Sequence, residues 1–211
     1  SATIFSRDYV VDDIGFNDKN YVNVNAHELA HQWFGDMITA ETGKHHWLQE
    51  GFATYYALLA EKNVFGDDYF YYKLYQNAQE LKEASVHDTI PILNEKASSL
   101  TFYQKGAWAL HVLREGIGEK TFQKAVKNYL EKHAFQNVNT EDFFDEISKL
   151  SKYDLKNFSK KWLENGGFDI QKANVLLSKN KALKTLFEVQ KLRDKPFKEK
   201  KAFFVMFVFF Y

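Results

Sequence analysis

Residues 27–31 read His-Glu-Leu-Ala-His, and that spacing constrains the backbone around it. Two positions four apart on an α-helix lie about 40° apart around the axis and one turn up. His27 and His31 therefore project their rings from one face of a helix. Two imidazoles so placed can chelate a single Zn²⁺ at roughly 2.0–2.1 Å each. Glu28 lies about 100° around from His27. It is poorly placed as a further ligand from the same helix and well placed to contact a water on the metal. A chain of this composition produces the pattern by accident in on the order of 1–2% of cases. The setting of the motif therefore matters as much as its letters.

That setting is helical. Val22, Ala26, Leu29, Ala30 and Trp33 recur near one face, so the periodicity predicts a helix over 21–38, with Gly35 as a stop signal. Further helices are predicted over 45–63, 67–84, 99–116, 119–133, 140–151 and 154–165. Gly116 and Gly118 separate two of them, Thr140 reads as an N-cap followed by acids, and Gly166-Gly167 ends the last. SATIFS at 1–6 reads as a strand, 12–20 as a turn-rich loop, and 87–100 as a connection with Pro91 in an extended position. Only two prolines and ten glycines occur in 211 residues, which suits long uninterrupted helices.

The absence of cysteine excludes disulfides, thiol nucleophiles and thiolate metal sites, and leaves the compartment open. Formal net charge is zero, so nothing in the charge balance calls for nucleic acid or an anionic membrane. The tail over 171–211 differs in character. It is lysine-rich from Ser178 to Lys201, read as a solvated helix or loop, and then ends in AFFVMFVFFY. Those ten apolar residues are too short for a membrane helix, which needs about 20.

A catalytic zinc takes three protein ligands and keeps one position open. Glu50, nineteen positions after His31 on the second predicted helix, is the candidate third ligand. Its neighbours Trp47, Leu48, Phe52 and Ala53 are apolar, and an isolated carboxylate among them is costly unless something explains its charge. The 36–44 loop is long enough to fold the second helix back on the first.

HELAHQWFGD followed by WLQEGFATYY resembles the gluzincin pattern of the M1 zinc aminopeptidases, the family of aminopeptidase N and the leukotriene A4 hydrolases. The flanking Trp33, Phe34, Gly35, Trp47, Leu48, Gly51, Phe52 and Ala53 belong to the same match. A third block, LTFYQKG, resembles the family's Tyr-x-Lys-Gly segment and implies that Tyr103 stabilises the transition state. A phenol beside a metal is chemically suited to donate to a developing oxyanion.

The resemblance covers roughly 1–170. It implies a mainly α (α+β) thermolysin-like catalytic domain, with SATIFS as the edge of a small sheet. It also implies one Zn²⁺ per chain held by His27, His31 and Glu50, Glu28 as general base, and removal of amino-terminal residues from peptide substrates. The alternatives are a thermolysin-type endopeptidase, an epoxide hydrolase like the leukotriene branch, and a non-catalytic zinc-binding fragment. The family's Gly-x-Met-Glu-Asn motif, whose glutamate grips the substrate amine, has no counterpart in this sequence, nor do the family's amino-terminal β-domain and carboxy-terminal helical domain. The expectation is a catalytic core that binds zinc and shows weak or no aminopeptidase activity alone. Many members carry a glutamate seven residues after the third ligand, where this chain has Ala57; Asp36 and Glu61 are the candidate substitutes. His45 and His46 are candidates to line the cleft, while His87, His111 and His133 read as ordinary surface or core residues.

Overall fold

A computed structural model describes residues 2–12, 15 and 21–193. The chain is mainly α, with one two-stranded sheet among the described residues. It divides into two compact units, Ser1–Ile170 and Gln171–Tyr211. Helices α1 (Val22–Ala30), α2 (Trp47–Phe65), α3 (Asp67–Ala84), α4 (Gly106–Ile117), α5 (Glu119–Lys132), α6 (Thr140–Ser148) and α7 (Leu155–Phe158) build the first. Strands β1 (Thr39–Ala40) and β2 (Asn137–Val138) pair in parallel, Thr39 opposite Asn137.

The centre of the first unit is α2, whose apolar residues surround the axis rather than forming a stripe. Trp47, Phe52, Tyr55, Ala57 and Leu58 are all buried, as expected of a helix packed on every side. Phe52 anchors an aromatic cluster, stacked on Phe34 at 4.3 Å and meeting Phe143 edge-on at 5.2 Å. Each such ring contributes about 1.5–3 kcal/mol by burial. Every residue of α4 from Gly106 to Arg114 is buried as well.

Where α2 and α4 cross, the backbones touch. A Cβ built on Gly51 would lie 3.0 Å from the Cα of Gly106, and one on Gly106 would lie 2.9 Å from the Cα of Gly51. Any side chain at either position would push the helices apart.

Several boundaries differ from the sequence reading. The 21–38 helix stops at Ala30, with His31 as its C-cap. Trp33 and Phe34 both donate to the Ala30 carbonyl, and Gly35 then turns the chain at φ +142°, a backbone region closed to most side chains. Leu29 and Trp33 stay exposed; Ala30 and Phe34 are the buried members of that stretch. The 99–116 segment is helical but contains a π-helical turn, Thr101–Lys105, in which Gly106 N–H reaches back to the Thr101 carbonyl. The predicted helix 154–165 likewise splits into α7 and a π-helical turn, Ser159–Leu163.

Asn139, not Thr140, caps α6. Its side chain accepts from Asp142 N–H while the Asp142 carboxylate accepts from Asn139 N–H. Thr140 is left to join two elements. Its buried hydroxyl bonds His45 Nδ1 at 3.0 Å and accepts from Trp47 Nε1 at 3.1 Å, fastening α6 to the start of α2.

SATIFS forms no strand over residues 2–6, and a 3-10 turn, Arg7–Tyr9, follows it. A strand is defined by a partner edge, and Ile4 there is 94% exposed. The sheet is built instead from the loops after α1 and α5. In the second unit, α8 (Ile170–Leu177) and α9 (Lys181–Arg193) occupy part of the stretch read as tail. The Asn180 side chain accepts from Leu183 N–H at the start of α9. AFFVMFVFFY and most of 12–20 lie outside the described residues. No helix among those described is long and apolar enough to cross a membrane.

Candidate metal centre

Helix α1 delivers His27 and His31, and the first turn of α2 delivers Glu50. The ring nitrogens of the two histidines, both Nε2, lie 3.1 Å apart. Glu50 Oε2 lies 3.3 Å from His27 Nε2 and 3.4 Å from His31 Nε2. These three residues form the one metal-capable cluster of histidines and acids among the described residues.

The separations are informative. Charge-assisted hydrogen bonds run at about 2.7–2.9 Å, so contacts of 3.3 and 3.4 Å are long for one. Glu50 Oε2 is buried and accepts no hydrogen bond of regular geometry. A tetrahedral ion with bonds of about 2.0–2.1 Å has ligand-to-ligand edges of about 3.3 Å, which matches all three. The orphaned oxygen and the donor set therefore fit a zinc-like cation.

A backbone contact orients one of these three side chains directly. His31 Nδ1 lies 2.9 Å from the Phe34 carbonyl and donates to it, which leaves Nε2 free to face the cluster. That carbonyl is presented by the turn at Gly35, where a Cβ would meet His31 Nδ1 and its carbonyl at 3.4 Å each. The early end of α1 is thus what aims the second histidine. Asn23, one turn before His27, donates to the buried Glu61 at 2.7 Å, bracing α1 against α2. Glu61 also accepts from Tyr69 at 3.2 Å. Of the two candidate substitutes for the residue at Ala57, Glu61 reaches α1 at Asn23 rather than at a ligand, and Asp36 lies exposed.

Electrostatics follow the geometry. Burial alone would raise the Glu50 pKa, but His27, His31 and His46 around its carboxylate hold it well below the usual range. Contact with the Glu50 carboxylate, working against desolvation, raises His31 to about 9. Protons and a metal therefore compete for the same atoms.

Tyr103 stands on the π-helical turn with its ring stacked on His27, centroids 5.5 Å apart and planes 9° apart. Desolvation, then the Glu50 charge, pushes its phenol to about 12, so it remains a proton donor at neutral pH. Three hydrogen bonds hold that turn and the residues leading into it. Asp88 Oδ2 accepts from Ser98 and from Thr101 Oγ1, and buried Lys105 donates to the Asn165 carbonyl. Glu28 is half-buried on α1, and its charge reaches both His31 and Tyr103.

The remaining histidines separate by environment. His45 is buried, with its ring bonded to Thr140 rather than aimed at the cluster. His46 lies beside the cluster, its Nε2 3.3 Å from Glu50 Oε1. His87 is exposed, while His111 and His133 are buried, His111 against the Tyr55 hydroxyl at 3.2 Å.

Comparisons with known proteins agree with one another. The peptidase family M1 domain matches residues 2–162. The aminopeptidase M1-D of Oryza sativa subsp. japonica is 35% identical over 154 residues, covering 69% of this chain and 18% of that one. The leucyl aminopeptidase of Saccharolobus solfataricus is 32% identical over 162 residues, covering 72% and 21%. Among solved structures, the M1 zinc metallopeptidase of Deinococcus radiodurans is 29% identical with a TM-score of 0.62, covering 70% of this chain and 33% of that one. The chain spans about a fifth of the length of the curated relatives it matches.

Proposed function

Since the chain belongs to peptidase family M1, we propose that His27, His31 and Glu50 hold one Zn²⁺ and that the site removes amino-terminal residues from peptides. The relatives named aminopeptidases and the zinc metallopeptidase structures support this reading. The observation that carries it is the triangle of ligand atoms, with edges of 3.1, 3.3 and 3.4 Å around an orphaned carboxylate oxygen. Three protein ligands leave the fourth position for water and substrate.

When bound, zinc supplies Lewis acidity that polarises the scissile carbonyl and acidifies a water. The protein's own groups do the rest. Glu28 takes the proton from the attacking water and passes it to the departing amine. Tyr103 donates its phenol O–H to the oxyanion of the tetrahedral intermediate, an effect typically worth about 3–4 kcal/mol. Phe34, through His31, keeps that imidazole in the tautomer a metal requires.

Elemental analysis is expected to find one zinc per chain in the wild type and far less in Glu50→Ala. Full occupancy in that variant would remove Glu50 from the ligand set. Peptides with a free amino terminus are expected to be cleaved in preference to N-acetylated ones. Equal cleavage of both would make the site an endopeptidase.

A further inference from the structure

Glu50 has two oxygens and the metal triangle uses one. Oε2 faces His27 and His31, while Oε1 lies 3.3 Å from His46 Nε2. We propose that His46 is a positioning residue for the metal centre: its imidazole N–H engages Glu50 Oε1 and reserves Oε2 for the metal. This rests on the reading of His27, His31 and Glu50 as zinc ligands.

Three features of the structure support the assignment. His46 and Glu50 are four residues apart, so their side chains share a face of the same helical turn. His46 is the N-cap of α2 with helical backbone angles, φ −59° and ψ −24°, so its ring projects along that face. Finally, Phe102 meets the His46 ring edge-on, centroids 5.3 Å apart and planes 82° apart. The imidazole is therefore flanked by the carboxylate it faces and by the buried ring of Phe102, with about two fifths of its side chain open to solvent.

A carboxylate left to itself can bind a metal through one oxygen or both. Binding through both would occupy the position needed by water. A donor directed at Oε1 from 3.3 Å disfavours that, and it also restricts the rotational freedom Glu50 would otherwise lose on binding. His46 does not serve as a fourth ligand, because its nitrogen faces the oxygen away from the two histidines and lies outside the metal-capable cluster.

The test uses the 211-residue chain and two readouts other than turnover: zinc affinity by competition with a chromophoric chelator, and the visible spectrum of the Co²⁺-loaded protein. His46→Phe keeps a ring against Phe102 and lacks the donor. His46→Gln keeps a donor and lacks the ring. His46→Phe is expected to weaken zinc binding by about 10–100-fold and to dim the Co²⁺ bands as coordination number rises. His46→Gln is expected to stay close to wild type in both. Wild-type affinity and an unaltered spectrum in His46→Phe would overturn the proposal, and so would equal losses in the two variants, which would assign the effect to the ring. Should His46→Phe not fold, as judged by circular dichroism of the metal-free protein, His46→Leu replaces it with the same expectation. Wild-type protein and Glu50→Ala are measured alongside. If the wild type binds no zinc, or Glu50→Ala binds it as tightly, the metal-centre reading fails first. If Glu50 matters and His46 does not, only the positioning role of His46 falls.

Discussion

Gly51 and Gly106 hold the helix that carries Glu50 against the helix that follows Tyr103, with 2.9–3.0 Å between a notional Cβ on one and the Cα of the other. One glycine directly follows the third candidate ligand and the other lies three residues past the candidate oxyanion donor. Their contact is expected to set how far the phenol stands from the His27, His31 and Glu50 cluster. Gly51→Ala and Gly106→Ala are each expected to cost about 1–3 kcal/mol by overpacking. A displacement of even about 1 Å is expected to cut turnover about 100-fold while zinc content holds. Chemical denaturation and kcat measured together check this; wild-type turnover in both variants would mean the spacing is not set here.

Glu28 and Tyr103 are assigned to proton transfer and oxyanion stabilisation, not to holding the metal. Glu28→Gln is expected to keep its zinc and lose about 10²–10⁴ in rate. Tyr103→Phe is expected to lose about 10²–10³ in kcat, with KM little changed. Retained rates in a zinc-replete Glu28→Gln would reassign the base.

Zinc binding should depend steeply on pH. Without metal, His31 keeps its proton up to about pH 9, and a metal must displace it. Below that value each unit of falling pH is expected to weaken apparent zinc affinity about tenfold from this group alone, with a plateau above about 9. In the metal-free protein the sign is opposite. The stability gained from the raised His31 pKa is fully present below about 6.5 and is lost as pH rises through about 9. A chelator competition series from about pH 6 to 10 gives the first slope, and a level profile would contradict it.

Lys105 offers a second pH signature. Burial lowers its pKa to about 8, with the Asp88 charge opposing the shift. Between that value and the ordinary lysine value of about 10.4, the unfolded chain binds the extra proton. Stability contributed by this group therefore rises with pH across that window, by on the order of 1–2 kcal/mol up to about pH 10. At higher pH the buried Tyr55 and Tyr129, both raised by desolvation, reverse the trend. Urea melts at about pH 7.5 and about pH 10 should show a stability difference between the wild type and Lys105→Met that grows in favour of the wild type with pH, the opposing loss from His31 being common to both.

The sequence is most legible where local chemistry and tertiary packing agree. The third predicted helix, 67–84, matches Asp67–Ala84, because Gly66 at φ +90° and the acids at 67 and 68 mark its start without help from elsewhere. The first predicted helix is too long, since Trp33 and Phe34 continue the apolar period although the backbone has already left the helix. Ile4 and Phe5 alternate as a strand would, yet pairing depends on an edge that alternation does not supply. The clustering of His27, His31 and Glu50 follows from spacing and charge cost. Sequence proximity to Glu50 marks His45 and His46 alike as candidates to line the cleft, and only the fold separates them, tying His45 to Thr140 and leaving His46 beside Glu50. The π-helical turn under Tyr103 leaves no trace in the periodicity, because one extra residue in a turn does not disturb an apolar run that is buried on all sides.

The turn at Gly35 has a consequence for the order in which the centre comes together. His27, His31 and the Phe34 carbonyl that aims the second ring lie within eight consecutive residues, and Glu50 follows sixteen positions after Phe34. Closing so short a loop is entropically inexpensive. Tyr103 must instead be brought in from more than fifty residues further along. On the proposed assignment, the nascent chain can therefore bring its three candidate ligands together while Tyr103 is still far away. On that assignment, metal capture ahead of the arrival of Tyr103 is the expected order. Stopped-flow refolding with a zinc-sensitive dye should detect metal uptake before the Tyr103 ring settles on His27.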